Sequence, residues 1–103
     1  MTASELTEGS VYFKLTFLDE DMLIPSLEAL VFTGRNLDAG ESGQVYFQDF
    51  DSYRRGVTYH SACGDEQATF LKGSENELGA FFEYEQALDV LMACSLRRRQ
   101  VRQ

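Results

Sequence analysis

Residues that cross-link or anchor a protein are scarce in this chain: among 103 residues it has two cysteines, one proline, one histidine and no tryptophan. Cys63 and Cys94 lack C-x-x-C spacing, which excludes a disulfide scaffold. The N-terminus has no basic region followed by an apolar stretch, so we expect no signal peptide. The longest apolar run, 90–94, is far shorter than the ~20 residues that a membrane span needs. These absences predict a cytoplasmic protein with free thiols and no membrane partner.

Basic residues are also few and are placed unevenly. The chain has 17 acids and nine bases, for a net charge of −8. All 17 acids but only five bases precede residue 97, so the body carries −12 and the tail, 97–103, carries +4. An acidic body repels phosphate backbones, and nucleic-acid binding is therefore not expected. If the acids shared one surface, the body could instead mimic nucleic acid and block a basic partner.

What the chain does have is enough apolar material for a core. Hydrophobic residues make up 44% and aromatic residues 13%, and a domain of this size buries roughly 65% of the surface that its unfolded chain exposes. We therefore predict a single domain over 1–103. Residues 1–9 are polar and aperiodic, and we expect them to be disordered.

Alternating apolar residues predict several strands. Val11, Phe13, Leu15 and Phe17 alternate with polar side chains over 11–17. Two further stretches, 28–34 and 44–49, flank the glycine-rich segment "GRNLDAGESG" and predict a long-looped hairpin. Residues 26–31 fit a strand or a helix, and so do 77–83. "DFDSYRRG" has the residues of a turn or of a single helical turn that would stop near Gly56.

The clearest helix is "YEQALDVLMACSLRRRQ", which contains no glycine or proline. Its apolar stripe is Tyr84, Ala87, Leu88, Leu91 and Cys94 or Ser95. Acids in the first turns and arginines in the last turn suit the helix dipole. The sequence thus predicts an α+β fold, with one antiparallel sheet of four to five strands and this C-terminal helix packed on one face.

The stretch "YHSACGDE" holds the only histidine, His60, and one cysteine, Cys63. A zinc site needs three or four ligands, and no second pair of ligands completes one here. Catalysis by Cys63 with His60 as the base needs a cation to lower the thiol pKa, whereas the neighbours are carboxylates. We therefore favour an ordinary loop, with no metal, cofactor or catalytic residue. A calcium loop starting at Asp49 also fails, because its sixth position is Arg54 rather than glycine.

Surplus tyrosines favour binding over catalysis. Tyr12 and Tyr46 alternate with Phe13 and Phe47, so we expect both on the outer face of the sheet, as an interface. The leading hypothesis is an acidic protein-binding or accessory domain that forms a homodimer through this face. The alternative is a small-molecule or enzymatic pocket between sheet and helix, formed by Arg35, Arg54, Tyr59, His60 and Cys63.

Overall fold

The computed structural model describes residues 2–61 and 67–102. Within them, a short 3-10 turn at Ala3–Glu5 precedes five strands and two α-helices. The strands are β1 (Val11–Phe17), β2 (Pro25–Arg35), β3 (Gln44–Asp49), β4 (Phe70–Ser74) and β5 (Phe81–Phe82). The helices are α1 (Phe50–Arg54) and α2 (Tyr84–Arg102).

The strands form one open antiparallel sheet with the order β4-β3-β2-β1-β5. In the β1–β2 hairpin, Val11 pairs with Val31 and Phe17 pairs with Pro25. Pro25 is the first residue of its strand, a position that tolerates a missing N–H. The predicted α+β class, with one antiparallel sheet and a long C-terminal helix, is confirmed.

One face of the sheet, here called the N-terminal face, carries the main aromatic core. Because side chains alternate along a strand, Tyr12 shares this face with Phe32 and Phe47. The ring of Phe47 stacks on Phe81 with centroids 4.3 Å apart. The buried cluster on this face consists of Leu6, Tyr12, Leu30, Phe32, Val45, Phe47, Leu78 and Phe81.

Residues 2–9, part of the segment that we expected to be disordered, lie against this core. The Arg35 guanidinium donates hydrogen bonds to the carbonyls of Ala3, at 2.6 Å, and Leu6, at 3.2 Å. The backbone N–H of Gly9 donates to the carbonyl of Phe32 at 2.9 Å. The Leu6 side chain is buried in the cluster. The polar N-terminal segment therefore covers the apolar face that a bare sheet would expose.

The opposite face, here called the helix face, is covered over β1 and β5 by α2. Phe13 lies with its ring centroid 5.9 Å from that of Tyr84, at the start of the helix. Near the other end, the Arg97 guanidinium lies 5.4 Å above the centroid of Phe17 and donates to the carbonyl of Met22 at 2.7 Å. The Cys94 thiol donates to the carbonyl of Leu23 at 3.6 Å. The helix thus runs along the β1–β2 hairpin and holds its turn.

The β3 side of the helix face is covered by α1 and the residues that follow it. Asp49 caps α1 by accepting a hydrogen bond from the Ser52 N–H at 2.9 Å, and Gly56 follows the helix with φ +83°. Of the two predicted alternatives, a turn or a single helical turn, the structure has the helix. Buried Gln48 then donates to the Val57 carbonyl at 2.8 Å, which ties the segment to β3.

Candidate functional site

The residues of the predicted pocket do not converge. Arg35 lies on the N-terminal face, with its guanidinium 4.8 Å above the ring of Phe32. Arg54 is exposed on α1 and faces Asp51 across 3.8 Å. Both guanidiniums are therefore engaged, Arg35 by the N-terminal segment and Arg54 by its own helix, at different places in the fold. Cys63 lies outside the described residues.

Tyr59 and His60 do share a recess, on the helix face beside β3. It has a volume of about 170 Å³, and it is also lined by Thr33, Leu37, Gln48, Tyr53, Val57 and Thr58. Sites for drug-sized ligands are typically ~300 Å³ or larger. His60 itself is exposed. The recess brings together two of the five predicted residues, without either arginine.

Tyr12 and Tyr46, which we expected on one outer face, lie on opposite faces and are both buried. Tyr12 is 3% exposed and packs edge-on against Phe47 on the N-terminal face. Tyr46 is fully buried on the helix face beneath Tyr59, with ring centroids 4.8 Å apart. The prediction of a shared, solvent-facing tyrosine surface is therefore wrong: in the folded chain both rings are buried, and neither can contact a partner.

Around Tyr46, five side chains form a hydrogen-bonded group that we call the Glu41 cluster: Asp38, Glu41, Tyr46, Tyr59 and Lys72. The Tyr46 hydroxyl donates to Glu41 at 2.5 Å. The Tyr59 hydroxyl donates to Asp38 at 2.7 Å. Lys72, on β4, forms an ion pair with Glu41. The cluster therefore joins the β2–β3 loop, β3, β4 and the segment after α1.

The electrostatics of the Glu41 cluster set the protonation of Glu41, Tyr46 and Tyr59. Burial raises the pKa of Tyr46, and its hydrogen bond to Glu41 raises it further. The hydrogen bond to Asp38 raises the pKa of Tyr59. Burial alone would raise the pKa of Glu41, but hydrogen bonds from Lys72 and Tyr46 bring it below its ordinary value. At neutral pH both phenols are protonated and Glu41 is ionised, which suits a structural tie better than proton transfer.

No local motif signals the Glu41 cluster in the sequence. Glu41 and Lys72 are far apart along the chain and meet only because β3 pairs with β4, with Tyr46 opposite Lys72. Such a pairing depends on strand register rather than on residue spacing. The sequence predicts other roles for these two tyrosines: an interface for Tyr46 and a ligand pocket for Tyr59.

A second candidate site is the outer side of α2, which faces away from the sheet. Ala87 and Cys94 are buried against the sheet. On the other side, Leu88, Met92 and Leu96 follow at four-residue intervals and are 48%, 61% and 49% exposed. Residues three or four apart share one side of a helix. We call these three side chains, with Glu85 and Arg99 at their ends, the outer stripe.

The predicted apolar stripe of the helix agrees only partly with the structure. Ala87, Leu91 and Cys94 face the sheet as expected, and Tyr84 contacts Phe13 although its ring is largely exposed. Leu88 is exposed on the other side of the helix. The helix is apolar on two opposite sides, and a single-stripe interpretation merges them. The signal that separates them is the Leu88, Met92, Leu96 spacing.

Charges are ordered along the outer stripe. Glu85 lies in the first turn of α2, and Arg99 lies near its C-terminal end. In the described part of the chain, neither side chain has a hydrogen bond or an ion pair. The span from Glu85 to Arg99 is roughly 21 Å at 1.5 Å per residue. This surface therefore presents an acid, three apolar side chains and a base in one line.

No protein-family model, curated protein or solved structure matches this chain. Across residues 2–61 and 67–102, no group of three or more metal-ligating side chains is placed to hold an ion. The same residues include no helix with the length and apolar character of a bilayer-crossing segment. The surfaces of the fold are therefore what indicates a function.

Proposed function

We propose that this chain is a small protein-binding domain without catalytic activity, and that its binding surface is the outer stripe of α2. The observation that carries the proposal is the exposure of Leu88, Met92 and Leu96 on the side of α2 that the fold leaves uncovered. Contiguous apolar side chains bordered by charges are typical of surfaces that bind another protein. The stripe takes the place of the tyrosine face in our leading hypothesis.

The chemistry of the stripe defines the partner that it fits. A line of apolar side chains at helical spacing suits the apolar side of another amphipathic helix. Glu85 at one end and Arg99 at the other favour an antiparallel partner, with acids near its N-terminus and bases near its C-terminus. Antiparallel helices also bring opposite dipole ends together. We therefore propose an amphipathic helix with this charge order as the occupant.

The two alternative functions have less support. The small-molecule pocket needs Arg35 and Arg54 beside Tyr59, and these residues lie in separate parts of the fold. A nucleic-acid mimic needs its acids on one surface, whereas exposed carboxylates occur from Glu5 in the 3-10 turn to Asp89 in α2. We place the proposed activity in the cytoplasm, where the buried thiol of Cys94 stays reduced.

Fluorescence anisotropy tests the proposal. The probe is a labelled helical peptide with a leucine stripe, an acidic N-terminal half and a basic C-terminal half, and its control has serine in place of each leucine. We expect micromolar binding of the leucine peptide only. Met92→Gln should weaken it at least about tenfold, because burying one such side chain contributes about 1.5–3 kcal/mol. Ala93 is exposed beside the stripe, so Ala93→Gln should leave binding unchanged.

Two results would contradict the proposed function. One is that neither peptide binds at any concentration tested. The other is that Met92→Gln and Ala93→Gln have the same effect on binding, which would mean that the peptide binds elsewhere.

A further inference from the structure

We propose that the helix bound by the outer stripe is α2 of a second copy of this chain, so that two copies form an antiparallel, two-fold symmetric dimer centred on Met92. This inference rests on the proposed function and names its partner.

The symmetry of the stripe about Met92 supports the proposal. In a two-fold antiparallel helix pair, a residue that precedes the axis faces the residue at the same distance after it in the partner helix. Leu88 and Leu96 each lie four residues from Met92, so each would face the other across the axis. Glu85 and Arg99 each lie seven residues from Met92, so each carboxylate would face a guanidinium. A single axis therefore matches every member of the stripe with a complementary side chain.

Charge selects this arrangement over the parallel one. In a parallel pair in register, Glu85 would face Glu85 and Arg99 would face Arg99, and like charges at close range oppose association. In the antiparallel pair both contacts are between opposite charges. The chain also carries a net charge of −8, so two copies repel at long range unless their basic ends are used. The antiparallel stripe brings each arginine end onto an acidic end.

The area of the outer stripe determines how strongly the two copies are expected to associate. A stable interface buries about 800 Å² on each partner. Three apolar side chains and two charges along one helix bury less than that, so the dimer should be weak and reversible. We expect a micromolar dissociation constant, with monomer and dimer exchanging as the protein is diluted.

Analytical ultracentrifugation of the full chain, from about 1 µM to about 500 µM, measures the association across this range. We expect a monomer–dimer equilibrium. Glu85→Arg and Arg99→Glu should each weaken it roughly tenfold, because each creates two like-charge contacts in the dimer. The double variant Glu85→Arg/Arg99→Glu should restore wild-type association. An equimolar mixture of the two single variants should also associate, since every contact in that heterodimer is between opposite charges.

Cross-linking provides an independent measurement of the axis. In a Cys63→Ser background, Met92→Cys should form a disulfide-linked dimer under mild oxidation, because the two thiols would meet at the axis. Ala93→Cys is the matched control: it is exposed and points about 100° away around the helix. The control should stay monomeric. Equal cross-linking of both variants would overturn the proposed axis.

Other outcomes separate this inference from the proposed function. If the chain is monomeric at every concentration while the leucine peptide still binds, the second copy is not the partner and the proposed function stands. If the chain dimerises but neither charge reversal weakens it, the antiparallel arrangement is overturned. If a monomeric chain instead sediments with vesicles of phosphatidylcholine and phosphatidylserine, the stripe contacts lipid and the inference fails.

Discussion

Removing the hydroxyl of Tyr12 measures how firmly the N-terminal segment is attached to the core. The hydroxyl oxygen accepts a hydrogen bond from the Thr7 N–H at 2.8 Å, and the O–H donates to the Glu5 carbonyl at 3.4 Å. Tyr12→Phe deletes both contacts and keeps the ring against Phe47. The shorter bond should contribute most, since 3.4 Å is long for a hydroxyl donor.

The expected loss follows from the energetics of a single hydrogen bond. Such a bond contributes about 0.5–1.5 kcal/mol net, and an unpaired donor costs more only where water cannot reach it. Thr7 is exposed, so water can replace the phenol. We therefore expect Tyr12→Phe to lower the free energy of unfolding by about 1 kcal/mol.

Urea denaturation followed by circular dichroism measures this difference. With a slope of about 1–3 kcal/mol per molar urea, the midpoint should fall by roughly 0.3–1 M without a change in slope. Tyr84→Phe is the control, because its hydroxyl has no hydrogen bond within the described residues; its effect should stay under about 0.5 kcal/mol. If the two variants unfold at the same midpoint, the segment is not attached to the core in solution and the reasoning is refuted.

Two further variants test local features near α1. Burial alone would raise the pKa of Asp49, but hydrogen bonds from Ser52 and Thr69 lower it below its ordinary value. The ionised Asp49 carboxylate therefore stabilises the fold above the ordinary carboxyl pKa, and this stabilisation is lost as the pH falls through the lowered pKa of the folded state. Asp49→Asn lacks this carboxylate, so the variant should lose less stability than the wild type between about pH 5 and pH 2. Parallel urea midpoints for both proteins across that range would contradict this expectation. Gly56→Ala should lower the free energy of unfolding by about 1 kcal/mol, because Gly56 has φ +83°. Gly79→Ala is the control and should be neutral, because Gly79 has no positive φ and has open space around it. Equal thermal midpoints of the two variants would argue against strain at Gly56.

The strands were predictable where alternation and turn residues agreed. The pattern over 11–17 matches β1, and 44–49 matches β3. The ambiguous start of the second strand was resolved by pairing: Pro25–Arg35 extends along the whole of β1, so Leu27 lies opposite Leu15. Propensity alone could not decide this, because the cross-strand partner stabilises the strand.

The faces of the sheet were not predictable in the same way. Alternation predicts Tyr12 on the outer side of the sheet, because Phe13 and its neighbours are more apolar. The structure gives both faces a cover, α2 on one and residues 2–10 on the other, so Tyr12 is buried as well. The N-terminal cover depends on Arg35, which binds carbonyls roughly 30 residues earlier in the chain. A polar segment attached through side-chain to backbone bonds has no periodicity that a sequence pattern could show.

The outer stripe was present in the sequence but hidden by the apolar residues on the opposite side of α2. The sequence pattern groups Leu88 with Ala87 and Leu91, but Leu88 lies 100° around the helix from buried Ala87 and is 48% exposed. Burial is a tertiary property, so the sequence could identify the helix and not its free side.

The strand order also affects when each surface is covered during folding. Strands β1 to β4 pair with their neighbours in the chain, whereas β5 and α2 return to β1 from the far end. Contacts between residues so distant in sequence form late, because a long loop must close first. Until then, Phe13, Leu15 and Phe17 face water, and β1 offers an open edge to any other strand. A nascent chain of this protein is therefore most vulnerable to aggregation before α2 has been synthesised, and an early stop before Tyr84 should yield an insoluble product rather than a smaller folded domain.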